Sequence, residues 1–166
     1  IYGLPLWDGS SGGTGSLEGT IQARASIAAS STFTTALGAR TTGTISVAYA
    51  VLYDDDSSLA LIAGNYEDFV GIYSGVLNVS SNGDLFLQDP DSGCVMNGRV
   101  AIINPAFNAY DVQLSYASCT GPFADFNGVT FTGLAVYDKD WDELYLFTHG
   151  TVGGAPYAML YDFYRP

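Results

Sequence analysis

The sequence predicts an all-β fold, a closed antiparallel barrel of about eight strands, on three observations. The first is composition: 20 Gly, 12 Tyr and 9 Phe stand beside only 13% charged residues, a balance that disfavours helices. The second is the run Ala109 to Ser118. There Tyr110, Val112, Leu114 and Tyr116 alternate with Asp111, Gln113 and Ser115, the period of a strand with one buried face. The third is the recurrence of turn residues at short spacing along the chain. A β-sandwich is the alternative. The barrel is preferred from Gly64 onwards, because closure removes the edges that long Val/Tyr-rich strands would expose. The strands before Gly64 then form an added layer or complete the barrel.

In chain order, Leu17 to Ala29 alternates, with Ile21, Ala23, Ala25 and Ile27 opposite Gln22, Arg24 and Ser26. Ser31 to Leu37 reads as a second, Thr-rich strand and Gly38-Ala39-Arg40 as a turn. Thr42 to Tyr53 reads as a third strand, with Ile45, Val47, Tyr49, Val51 and Tyr53 inward. Asp54 to Ser58 then caps the short apolar run Leu59 to Ala63, which Gly64 closes, and that predicts one or two helical turns. Gly71 to Ser80 and Leu85 to Gln88 are strands around Ser81-Asn82-Gly83-Asp84, whose Asn-Gly pair predicts a type I′ turn. Asp89 to Gly93 turns again. Thr120 to Phe126 is a loop, Asn127 to Tyr137 a strand, Asp138 to Asp142 an acidic turn and Glu143 to Thr148 a strand. His149 to Pro156 reads as a Gly-rich turn before a last strand, Tyr157 to Tyr164.

The two cysteines bracket a hairpin. Cys94 to Ile103 and Ala109 to Ser118 are joined by Asn104-Pro105-Ala106-Phe107-Asn108, so Cys94 and Cys119 meet at its open end. A disulfide there implies an oxidising compartment, outside the cell or at its surface, with the periplasm as the variant. No stretch reaches the ~20 apolar residues of a membrane helix, and Ile1 carries no basic, apolar leader. The expectation is a secreted, processed chain.

Seventeen acidic residues against five basic give a net charge of −12, which repels nucleic acid and anionic membranes. His149 is the only histidine, so a Ser-His-Asp triad would have to use it, and no Gly-x-Ser-x-Gly is present. Two cysteines and one histidine are too few for a structural zinc site. No phosphate-binding glycine motif occurs, and the acidic residues are too abundant to single out a glycosidase pair. Asp138, Asp140, Asp142 and Glu143 have the opening spacing of a calcium loop, but position 6 is Glu143 rather than Gly and position 12 is His149. Solvated acidic turns are the simpler expectation, with no cofactor.

The runs SLALIAGNYEDFVGIYSG, SNGDLFLQDPDSGCVMNGRV, INPAFNAYDV and FTGLAVYD resemble uncharacterised secreted or lipoprotein-type β domains of bacteria. The resemblance spans roughly Leu59 to Tyr164. It implies a bacterial, secreted β domain with a Gly-Cys pair before a hairpin and a second Cys after it, and it carries no active site. The helix ahead of Gly64-Asn65-Tyr66 also resembles the entry to a lipocalin barrel, with Gly-x-Tyr in place of Gly-x-Trp.

Residues 1–16 read as an apolar peg on a flexible tether, and 17–166 as a single β domain. Ile1, Tyr2, Leu4, Leu6 and Trp7 form the peg, and Asp8 to Ser16 the tether. The function expected is a non-enzymatic structural subunit of an extracellular assembly, a filament joined to its own kind by strand addition. Two alternatives stand beside it: a lipocalin-like barrel for a small apolar or aromatic ligand, and an unrecognised hydrolase.

Overall fold

The computed structural model describes residues 13–68 and 75–166. They divide into two compact units, with the boundary between Val51 and Leu52.

The first unit is a three-stranded antiparallel meander of β1 (Gly13–Gln22), β2 (Ser26–Thr35) and β3 (Arg40–Ala48). Ser16, the end of the expected tether, already lies within β1. The expected strand from Leu17 to Ala29 is in fact the end of one strand, a turn and the start of the next. The chain reverses at Ala23-Arg24-Ala25, where Arg24 takes φ 57° and the Ala25 N–H donates to Gln22 O at 3.0 Å. That turn uses no Gly, Pro or Asn, so alternation ran through it unmarked. The next reversal does fall at Gly38, with φ 90°. β3 stops at Ala48, and Val51–Asp54 forms a 3-10 turn instead of continuing the strand to Tyr53. Within the second unit Tyr53 stacks on Phe107 at 4.9 Å, and its carbonyl accepts the Asn108 N–H at 3.0 Å. Tertiary contacts outweigh the local pattern there.

The second unit opens with α1 (Leu59–Ile62), capped by Ser58, whose Oγ accepts the Leu61 N–H at 3.1 Å. Eight strands follow: β4 (Gly64–Asp68), β5 (Leu77–Val79), β6 (Asp84–Gln88), β7 (Val95–Ile102), β8 (Tyr110–Ala117), β9 (Thr130–Asp138), β10 (Glu143–Val152) and β11 (Ala155–Tyr164). Each pairs with the next, and β11 pairs back to β4, so the sheet is a closed antiparallel barrel from Gly64 onwards. β1 to β3 neither complete the barrel nor belong to its sheet. Of the strand expected over Gly71 to Ser80, residues 75–80 are described and Leu77–Val79 is strand, while β4 carried no clear strand signal.

Alternation decides what lies inside. Tyr110, Val112 and Leu114 of β8 are fully buried, and Asp111 and Gln113 face water. Tyr66, Val100, Phe131, Leu144, Leu146 and Phe163 join them in one core. Two turns differ from expectation. At Ser80–Asp84 only Gly83 has a positive φ, 86°, while its N–H donates to Ser80 O. A type I′ turn needs two such residues, so the Asn-Gly pair makes a three-residue loop ending in a left-handed Gly. His149 sits in β10 opposite Ala158, and the reversal is confined to Gly153-Gly154. Two adjacent glycines suffice for it, so the flanking residues stay in the ladder.

Candidate functional site

The ends of the barrel are where side chains of different strands converge. At the α1 end, Arg165 follows β11 and closes the barrel mouth. Its guanidinium donates to Tyr66 Oη at 2.8 Å, Tyr137 Oη at 3.0 Å and the Leu61 carbonyl at 2.9 Å. Its Nε meets Asp142 Oδ1 at 3.1 Å. The cation also lies 5.0 Å and 5.4 Å from the Tyr66 and Tyr137 ring centres. Burial raises the Tyr137 pKa, and a hydrogen bond donated to Asp142 raises it further. Burial likewise raises Tyr66, against the pull of the nearby Arg165 charge. Both phenols are therefore neutral donors and acceptors at ordinary pH. This cluster joins β4, β9, β11 and α1, and it works as a clamp.

At the opposite end, Cys94 and Cys119 are disulfide-bonded with Cα atoms 4.0 Å apart, as the hairpin predicted. The buried Asp89 carboxylate accepts from Ser92 Oγ and from the Ser92 N–H at 3.3 Å, and Ser92 Oγ accepts the Cys94 N–H at 3.2 Å. Asn127 grips Cys119 from the other side, accepting from its N–H at 2.8 Å and donating to its carbonyl at 2.9 Å. The expected loop over Thr120 to Phe126 is a 3-10 turn, Gly121–Phe126, that lays Phe126 on Phe131 at 5.9 Å. Tyr116 meets both rings edge-on, and its hydroxyl shares a hydrogen bond with that of Tyr161. This end is filled with aromatic rings.

The candidate calcium residues fall at the first end but serve separate partners. Asp138 Oδ1 accepts the Asp140 N–H at 3.0 Å. Asp142, with φ 58°, accepts from Tyr137 Oη and forms an ion pair with Arg165. Glu143 accepts from Tyr145 Oη. Among the described residues no three metal-ligating side chains come together.

His149 borders an open cleft of about 630 Å³ on the outer wall, with Thr130, Thr132, Thr151, Pro156 and Tyr157. Its lining hydroxyls are those of threonines and a tyrosine, and no carboxylate lines it. Sequence reasoning missed the apolar row beside it. Leu134, Phe147 and Leu160 are direct cross-strand neighbours on the outside of β9, β10 and β11, each about half exposed. The one available signal was that Phe147 falls out of phase with Leu144 and Leu146.

It also missed Asn108, read as a turn residue. Asn108 donates to Tyr137 O at 2.6 Å and accepts from the Tyr137 N–H at 3.1 Å, acting as an added rung on β9. The assembly residues Ile1, Tyr2, Leu4, Leu6 and Trp7 lie outside the described residues. No family model matches the chain, and neither a curated protein nor a solved structure is similar to it.

Proposed function

We propose that this chain is a secreted bacterial structural subunit without enzymatic activity, and that it assembles with its own kind through residues Ile1 to Trp7. The observation that carries the proposal is the sealed barrel: its core positions hold bulky buried side chains, one mouth is clamped by Arg165, and the other is packed with aromatic rings. Such a barrel is a rigid brick. A disulfide and a net charge of −12 suit an extracellular brick that must stay dispersed until it docks.

Strand addition needs an open edge, and barrel closure removes one. The first unit offers two, because among the described residues β1 and β3 each pair only with β2. Tyr2, Leu4 and Leu6 alternate in the way an added strand requires. Such a head-to-tail contact need not close on itself and builds a filament. The test is deletion of residues 1–12, which leaves β1 whole. The expected result is loss of long assemblies, by light scattering and electron microscopy, with the barrel still folded. A full-length chain that remains monomeric at high concentration overturns the proposal.

A ligand-binding barrel is the second reading, favoured by the cleft beside His149. It places a small ligand on the outer wall. Saturable protection of His149 from carbethoxylation by a small aromatic or apolar compound would support it.

A further inference from the structure

The three strands of the first unit divide into two unlike faces. The register sets Leu17 beside Ser31, Ile21 beside Ile27, Ile27 beside Val47, Ala29 beside Ile45 and Phe33 beside Thr41. These residues share one face, since neighbours in register point the same way. The other face carries Thr14, Ser16, Thr20, Ser30, Thr32, Thr42, Thr44 and Ser46, with Glu18 and Arg40. One face is therefore apolar and uncharged, and the other is covered with hydroxyls.

Among the described residues of its own unit, nothing covers the apolar face. Leu17 is 62% exposed and Ile21 76%, against the near-zero values of the barrel core. Ile27, Ile45 and Val47 are exposed as well. Phe33 lies across the β1 edge, where a Cβ on Gly13 would come within 2.6 Å of its ring. A sheet of this kind has almost no core of its own: Thr35 is the one buried residue of its three strands. Fixing its backbone costs conformational entropy at every residue, so its stability must come from what covers that face.

We infer that the apolar face of β1, β2 and β3 packs against the same face of a second copy, making a two-layer sandwich. Three features select that occupant. Arg24 and Arg40 against Glu18 are the only charges of residues 13–48, so the sheet escapes the self-repulsion of a chain carrying −12. Glu18 and Arg40 both lie on the hydroxyl face, and Arg24 in the turn, so a face-to-face pair buries no like charge. The area also fits. Three strands about 4.8 Å apart and about 33 Å long give a footprint of roughly 470 Å² per copy, so a pair covers about the 1,000 Å² that a specific contact needs. A two-fold contact of one face with itself is self-complementary.

The inference deepens the assembly reading but uses a different surface from Ile1 to Trp7. Both would operate together, with strand addition at the sheet edge and pairing through its face. The experiment separates them. In the full chain, Ser31→Cys sits mid-sheet on the apolar face and Ser30→Cys on the hydroxyl face. A short bis-maleimide, matched to the ~10 Å between packed sheets, is expected to join Ser31→Cys into covalent dimers and leave Ser30→Cys single. With residues 1–12 deleted, the particle is expected to have twice the mass of the shortened chain. Ile45→Lys is expected to weaken that dimer at least tenfold, and Thr44→Lys, on the other face, to leave it intact. Equal cross-linking of both cysteine variants, or none, overturns the inference, even if long assemblies still form through Ile1 to Trp7. Cross-linking of Ser31→Cys in a full chain that never grows past a dimer supports it and sinks the strand-addition reading instead. The cross-link arm needs no destabilising substitution, so misfolding of Ile45→Lys leaves the inference open to refutation.

Discussion

Asp162 sits in a setting at odds with its chemistry. It lies on the outer face of β11 opposite Tyr145, and its Oδ1 is buried without a hydrogen-bond partner. Burial, then the charges of Glu143 and Asp68, raise its pKa above the ordinary carboxylate value. The folded state therefore holds the proton more tightly than the unfolded chain. Its contribution to stability is present at low pH and falls as pH rises through the interval above the ordinary value. Asp162→Asn is expected to flatten that fall, raising the melting temperature by ~2–5 °C at pH 7 and changing little at pH 3. A thermal scan at both pH values checks it. On β8 the alternation gives a sharper contrast. Truncating Tyr110, Val112 or Leu114 to Ala is expected to cost about 2–5 kcal/mol, and truncating Asp111 or Gln113 about 0.5 kcal/mol or less, by urea titration. That contrast was legible in the sequence, because period 2 reports burial directly. The role of Asn108 was not, because a side chain that imitates a peptide group has the same composition signal as a turn.

Among elements, the hairpin closed by Cys94 and Cys119 was the most readable, since two strands and a turn leave one place for their ends. The sequence separation of 25 residues gives the disulfide roughly 3.5 kcal/mol in the chain-entropy model. Reduction is expected to lower the unfolding free energy of the barrel by up to that amount, and denaturant midpoints with and without reductant measure it. α1 was readable for a similar reason: Ser58 and Gly64 mark its two ends. Ser58→Ala is expected to cost about 1 kcal/mol. β1 and β2 were misread because Ala23-Arg24-Ala25 turns the chain with residues that also suit strands. The end of β10 was misread for the converse reason: a Gly-rich stretch drew the turn too wide, although only Gly153 and Gly154 need positive φ.

For the whole molecule, the barrel was legible as a count of strands and hairpins. That the strands before Gly64 stand as a sheet of their own was one of two readings left open, because alternation in β1 to β3 looks the same in an added sheet and in a barrel wall. The two compact units make a testable statement. A chain of residues 52–166 is expected to fold alone, oxidise its cysteines and keep the near-ultraviolet tyrosine signal of the barrel. Loss of that signal would show that the first unit is needed to complete the core.

The pairing of β11 with β4 has one more consequence. Phe163 meets Asp68, and Arg165 reaches Tyr66, across nearly the whole length of the barrel sequence. A chain emerging from a ribosome delivers β4 long before its partner exists. The hairpins between can form as they appear, but the ring stays open until the final strand arrives, and such distant closure is slow. The latch is supplied last, so closure of the barrel waits on β11 and Arg165.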